Sequence, residues 1–393
     1  MNPTPGRPVL PIAAMGQHHR APCSALPSAN EPWPSGLAGT QGVPAAVRYL
    51  RTLDALDKHP AQPVSLALTV PFCATRCLCC AREVQAAPTR LAVDAYVDAL
   101  ILESRHLVDR IGLGHEVQQL HIGGGSATEL NERQWVRLLG ALHGAWHLPG
   151  DVDLSVVCDP RRVSGTQIRL LQHLGCAQLS MPLFDLDPQV QQAIGRIHGP
   201  ALIDDVCELA RRAGIECICL ELMVGLPMQT LARWQATLTR LLALAPDRIR
   251  LARYRHGPVL TATQCGIDAA TLPDERLCQA LYTMAVQRLG EAGYRQLGQH
   301  SFVLDTDAWT LARERGDLWR SALSYTTAPP APTLGLGAGA HSSLNGLAFR
   351  NITPVSAWQQ AVETGRLSAI QCWPCAGDEP LALPTDEPLR ARA

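Results

Sequence analysis

Lysine is nearly missing from this 393-residue chain: Lys58 stands alone, and the remaining cationic side chains are all arginine. Phenylalanine is scarce too, with four residues beside eight tryptophans and six tyrosines. So few rings exclude an array for stacking single-stranded bases. The net charge of −1 excludes a generally basic nucleic-acid surface. No run of about 18 apolar residues occurs, so no membrane-spanning helix is expected. The opening "MNPTPGRPVLPIAAMGQHH" has no basic start followed by an unbroken apolar core, so no secretory signal is expected and the chain is read as cytoplasmic.

Cysteine, by contrast, is abundant: fourteen residues in a chain without an export signal point to reduced thiols rather than a disulfide framework. Four fall in "PFCATRCLCC", at Cys73, Cys77, Cys79 and Cys80. The C-x3-C-x2-C arrangement of Cys73, Cys77 and Cys80 supplies three thiolates from one loop, enough for three irons of a 4Fe–4S cube with the fourth iron open. A closed zinc site recruiting Cys79 as fourth ligand is the competing metal reading, although adjacent Cys79 and Cys80 fit one tetrahedron awkwardly. Isolated Cys158, Cys176, Cys207, Cys217 and Cys219 read as small buried hydrophobes. Cys372 and Cys375 have redox-like C-x-x-C spacing but no βαβ context, and are read as incidental.

Between 65 and 258 short β-rich runs alternate with helical ones, the mark of parallel βα units. The strands are expected at 65–70, 117–122, 152–157, 177–183, 216–224 and 247–254, with helices at 91–111 and 132–146 among the connections. Six successive units suggest a barrel or partial barrel, whose chemistry sits at the carboxyl ends of its strands. The cysteine loop follows the first strand and Gly123, Gly124 and Gly125 follow the second. The organisation read from the chain is a disordered segment at 1–45, a barrel at 46–258, a small α+β extension at 259–375 that packs on it, and a disordered tail at 376–393.

The motifs "VPFCATRCLCC", "LHIGGGSATEL", "CDPRRV", "LSMPLFDLDPQVQQAIGR", "ELMVGLPMQT" and "TLGLGAGAHS", in this order, resemble the radical S-adenosylmethionine (SAM) enzymes. Within them they resemble the oxygen-independent coproporphyrinogen III oxidase family and its relatives. The resemblance implies a partial (β/α)6 barrel with a 4Fe–4S cluster on Cys73, Cys77 and Cys80, and SAM on the open iron. It implies reductive cleavage of SAM to a 5′-deoxyadenosyl radical, which takes hydrogen from a propionate of coproporphyrinogen III so that carbon dioxide leaves and a vinyl group remains. Gly123, Gly124, Gly125, Ser126, Arg196, Glu221 and His341 occupy positions where the family contacts SAM, Glu221 standing for an aspartate. Ala67, Thr69, Val157, Phe184 and Arg82 depart from the family's tyrosine, histidine, glutamate, glutamine and cysteine. The implied partners are a tetrapyrrole and an electron donor that the sequence does not identify. Arg82, Arg253, Arg255 and Arg295 are candidates for the substrate carboxylates. Two other readings stay open: a haem-binding chaperone, as in relatives that lack the C-terminal domain, and a degenerate paralogue with little SAM activity.

Overall fold

The computed structural model describes residues 43–257 and 262–374. Cys375 and the segments expected to be disordered, up to residue 42 and from 376 on, lie outside the described residues.

Helix α1 (Ala45–Asp57) precedes β1 (Val64–Val70), and the cysteine loop then opens with β2 (Phe72–Cys73), which pairs in parallel with β3 (Gln85–Ala86). Five βα repeats follow: α2 (Arg90–Ile111) and β4 (Val117–Gly124), α3 (Glu132–Ala145) and β5 (Asp153–Val157), α4 (Gly165–His173) and β6 (Cys176–Phe184), α5 (Pro188–Ala193) and α6 (Pro200–Ala213) before β7 (Cys217–Val224), then α7 (Leu231–Ala243) and β8 (Arg248–Arg253). Local chemistry sets the helix starts. Asn131 with Gln134 and Ser164 with Gln167 form capping boxes, and Asp187 caps α5 ahead of a proline at its first turn.

Strands β1, β4, β5, β6, β7 and β8 lie side by side in that order, all parallel. This is the expected partial (β/α)6 arrangement, and the sheet is open rather than closed into a ring. Beyond β8 come α8 (Glu275–Glu291), the hairpin of β9 (Tyr294–Leu297) and β10 (Ser301–Leu304), α9 (Ala308–Arg315), and the small pair β11 (Trp319–Arg320) and β12 (Tyr325–Thr326). Strand β13 (Thr333–Leu336) then crosses to the opposite edge and pairs with β1, followed by β14 (His341–Leu344), β15 (Leu347–Asn351), α10 (Val355–Glu363) and β16 (Ala369–Pro374). Residues after 258 thus add strands to both edges of one twelve-stranded sheet, β16-β15-β14-β13-β1-β4-β5-β6-β7-β8-β10-β9.

The two-residue period of the strands sorts the side chains. Leu120 and Ile122, Leu154 and Val156, Leu179 and Met181, Ile218, Leu220 and Leu222, and Ile249 and Leu251 belong to the main apolar core. The alternate positions, including Gln119, His121, Ser155, Gln178, Ser180, Arg248 and Arg250, line the concave side. An apolar outer face under the helices and a polar lumen follow from one alternation.

Candidate functional site

Strand β4 runs two residues further than its apolar pattern, because Thr69 pairs with Gly123 and Val70 with Gly124. A side chain at Gly124, where φ is +101°, would meet the Thr69 methyl at 2.5 Å. One at Gly125 would meet the Phe72 carbonyl at 2.4 Å. These glycines therefore let the stem of the cysteine loop lie directly on the end of β4. Gly125 N–H and Ser126 N–H donate to the carbonyls of Val70 and Phe72, each at 2.8 Å.

The loop is pinned at several other points. Leu78 N–H donates to Ile194 at 2.8 Å, and Ala74 N–H donates to Glu129 Oε1 at 3.0 Å. Leu78 also wedges against Gly195 and Gly266, where an added Cβ would lie 3.5 and 3.1 Å from its side chain. Cys79 is fully buried among apolar neighbours that include Phe184, Val190, Ile194 and Met223. Burial pushes its thiol well above the ordinary value. Cys73 and Cys80 are half-buried. Burial, then the nearby Cys80 and Cys77, raise Cys73 to about 12. The Cys77 sulfur receives two guanidinium donors, Arg196 Nη1 at 3.5 Å and Arg161 Nη2 at 3.8 Å. Among the described residues no three His, Cys, Asp or Glu side chains converge on a point that one metal ion would occupy. Ligands to separate corners of an iron–sulfur cube do not share such a point.

Arg161 and Arg196 meet at Asp159, which sequence reasoning quoted within "CDPRRV" without assigning it a role. Arg161 binds it through Nε and Nη2 at 3.0 and 2.7 Å, and Arg196 Nη2 lies 3.2 Å from Oδ1. Burial alone would raise the Asp159 carboxyl, but the two guanidinium groups hold it down at about 2. Ser126 Oγ accepts from Asp159 N–H at 3.1 Å, so Ser126, Asp159, Arg196 and Cys77 form one connected group. Arg196 further donates to the Pro182 carbonyl at 2.9 Å and lies 5.0 Å over the Phe184 ring. Phe184 ends β6 with φ of +70°, a conformation that bulky residues rarely adopt.

A second group forms around Arg82. Its guanidinium donates to the Gly124 carbonyl and interacts with Glu221 and Arg250. Glu221 on β7 stands opposite Arg250 on β8, with 3.7 Å between Oε1 and Nη1. His341 opens β14 and feels the Arg82 and Arg350 charges; burial above all keeps its imidazole neutral, down at about 3. Gly123, Gly124, Gly125 and Ser126 thus lie at or just beyond the carboxyl end of β4, His341 at the adjoining start of β14, and Arg196 against Pro182 near the end of β6, whereas Glu221 stands inside β7, paired with Pro182 and Arg250. Three of the four candidate substrate arginines do not converge there. Arg253 and Arg295 form exposed ion pairs with Glu275 and Asp305 at the outer rim, and Arg255 is exposed as well.

The loop 337–340 that delivers His341 is locked from below. Gly337 N–H donates to Glu103 Oε2 at 2.7 Å, and Trp358 Nε1 and Asn351 Nδ2 donate to Oε1 at 3.0 and 3.3 Å. The Tyr96 hydroxyl ties this loop to the cysteine stem, donating to the Thr69 carbonyl at 2.7 Å and accepting from Ala338 N–H at 2.9 Å.

The radical SAM superfamily model matches residues 68–241, a span that starts in β1 and ends in α7. The oxygen-independent coproporphyrinogen III oxidase of Pseudomonas aeruginosa is 30% identical over 346 residues, 86% of this chain and 75% of that protein. Its counterpart in Salmonella typhimurium is 32% identical over 314 residues, 79% of this chain and 68% of that protein. Among solved structures, coproporphyrinogen III oxidase from Escherichia coli, described as a radical SAM enzyme, superposes with a TM-score of 0.79 at 29% identity, covering 88% of this chain and 78% of that one.

Proposed function

The chain belongs to the radical SAM superfamily, within its oxygen-independent coproporphyrinogen III oxidase family, and on that footing we propose that it oxidatively decarboxylates propionate side chains of coproporphyrinogen III in haem biosynthesis. It is an oxidoreductase whose cofactors are a 4Fe–4S cluster and SAM. The observation that carries the reading is the sulfur of Cys77 under two guanidinium groups, in a loop whose four cysteines include three at cluster-ligand spacing. N–H donors to sulfur suit an anionic thiolate bound to iron.

In this reading Cys73, Cys77 and Cys80 hold three irons, and Cys79 belongs to the apolar packing beside them. The mouth also suits a ligand bearing both charges. Arg196 offers a guanidinium to a carboxylate, and Glu221 offers a carboxylate to an ammonium or hydroxyl. When bound, SAM and the reduced cluster would supply the one-electron chemistry that hydrogen-atom removal from the substrate needs. The chain's own residues position and shield. Asp159 orients Arg196 and Arg161 toward the Cys77 side, Ser126 fixes the Asp159 backbone, and Val157 and Phe184 contribute apolar walls. Glu103 and Tyr96 hold the 337–340 loop, with His341 neutral at its end.

The electron donor is read as a separate reductant, and the site of action as the reducing cytosol. Among the described residues no disulfide joins any cysteine, which supports that placement. Among the described residues no helix is long and apolar enough to cross a membrane.

The test is anaerobic reconstitution with iron and sulfide, then reduction and incubation with SAM and coproporphyrinogen III, with 5′-deoxyadenosine and porphyrin products assayed together. Both products are expected. A loaded cluster that cleaves SAM without yielding a vinyl product rejects the substrate; one that yields neither rejects the activity.

A further inference from the structure

Beneath the mouth, the inward faces of β4 to β8 and β10 line a small, partly open cavity of about 30 Å³, room for a group the size of a carboxylate rather than for a whole tetrapyrrole. Two arginines two residues apart on β8 line it, and they are held very differently. Arg248 is fully engaged: it binds Asp307 through Nε and Nη2 at 2.8 and 3.1 Å, donates to Gln178 Oε1 at 2.6 Å, and stacks 3.5 Å over Trp309. Arg250 keeps 30% of its side chain exposed and has a single looser ion pair among the described residues, with Glu221 at 3.7 Å.

Other polar groups of the lumen are satisfied within it. His121 Nδ1 bonds Ser155 Oγ at 2.8 Å, Gln119 Nε2 donates to Asp153 at 2.9 Å, and Gln178 Nε2 donates to Ser180 at 3.0 Å. Burial, aided by the charges of Arg250 and Arg82, keeps His121 neutral, with its value down at about 4. Arg82 and Arg250 therefore share the Glu221 carboxylate between two positive charges. A partly desolvated guanidinium whose charge is only half offset is costly, and an entering carboxylate would complete it through two parallel N–H···O bonds.

We propose that this lumen is a carboxylate-binding pocket with Arg250 as its anchor, and that it receives a propionate arm of the tetrapyrrole. The second half rests on the activity proposed above; the first stands on the lumen alone. A lysine there would keep the charge opposite Glu221 but lose the planar fork, so the role depends on shape as well as sign.

The experiment is fluorescence titration of coproporphyrin III against the cluster-reconstituted protein: wild type, Arg250→Gln, Arg250→Lys, and Arg295→Gln as an exposed-arginine control. Thermal unfolding of each variant checks that the fold is retained. Arg250→Gln is expected to weaken binding about ten- to a hundredfold, the loss typical of hydrogen bonds to charged groups. Arg250→Lys should fall between, and Arg295→Gln should match wild type. Unchanged affinity in both Arg250 variants, or an equal loss in Arg295→Gln, overturns the assignment. If wild type takes no coproporphyrin, the substrate reading falls, and titration with propionate alone judges the pocket. Binding to wild type that is lost in Arg250→Gln upholds it; equal binding to both overturns it.

Discussion

Asp159, in the loop after β5, and Glu103, midway along α2, are carboxylates buried to similar degrees, 7% and 6% exposed, on opposite flanks of the cysteine loop. Asp159 sits between two guanidinium groups, which hold it ionised. Among the described residues no arginine reaches the oxygens of Glu103: an indole, an amide, a hydroxyl and a backbone N–H surround it, and burial raises its carboxyl despite those bonds. Ionic pairing gathers charge at the mouth and aims it at Cys77. Neutral donors fix a shape, here the turn that delivers His341. One residue chemistry serves two purposes according to what surrounds it.

The contrast is broken hardest by Asp159→Ala. It strands Arg161 and Arg196 with no counter-charge, and denaturant unfolding should show a loss of about 3–5 kcal/mol. Glu103→Gln keeps the volume but gives one carboxylate oxygen's donors a poorer partner, and the expected loss is about 1–3 kcal/mol. Acid titration of stability sharpens the difference, because the two groups run in opposite directions. The Asp159 value is depressed, so its contribution is present above its ordinary 3.8 and disappears as pH falls to about 2; the advantage of wild type over Asp159→Asn should close across that window. The Glu103 value is raised, so the folded state takes up its proton first as pH falls, and the advantage of wild type over Glu103→Gln should widen. Matching pH slopes would show that the two carboxylates are held alike.

The smallest expected effect on stability is that of Arg161→Gln, since Arg196 still pairs with Asp159. Its signature lies in the cluster. Losing a cationic donor to the Cys77 sulfur should move the reduction potential more negative, read by spectroelectrochemical titration, whereas Glu103→Gln should leave it in place.

The strands of the parallel sheet were legible as short β-rich runs such as "VDLSVV", whereas Gly123 and Gly124, expected just after β4, continue it by pairing with Thr69 and Val70. The cysteine spacing marked the loop. Glu103 was not legible: within "LILESRHL" it reads as an ordinary helix charge, and its partners at 337, 351, 358 and 368 arrive more than 230 residues later. Asp159 lay inside a quoted motif, yet its place between two arginines depends on the return of β6 and α5. Arg250 hid in "RIRLARYR", whose alternation shows that Arg248 and Arg250 share a face without showing that one is locked and the other open. Arg253 and Arg295 drew notice as cations, but sequence spacing does not distinguish a lumen from a rim.

The central claim is that the loop from Cys73 to Cys80 carries the cluster on three of its four cysteines. Iron and acid-labile sulfide per chain, measured after anaerobic reconstitution of wild type and the four single Cys→Ala variants, test it most directly. Full loading is expected in wild type and Cys79→Ala, with loss in Cys73→Ala, Cys77→Ala and Cys80→Ala. Loss in Cys79→Ala together with full loading in Cys80→Ala would contradict the account.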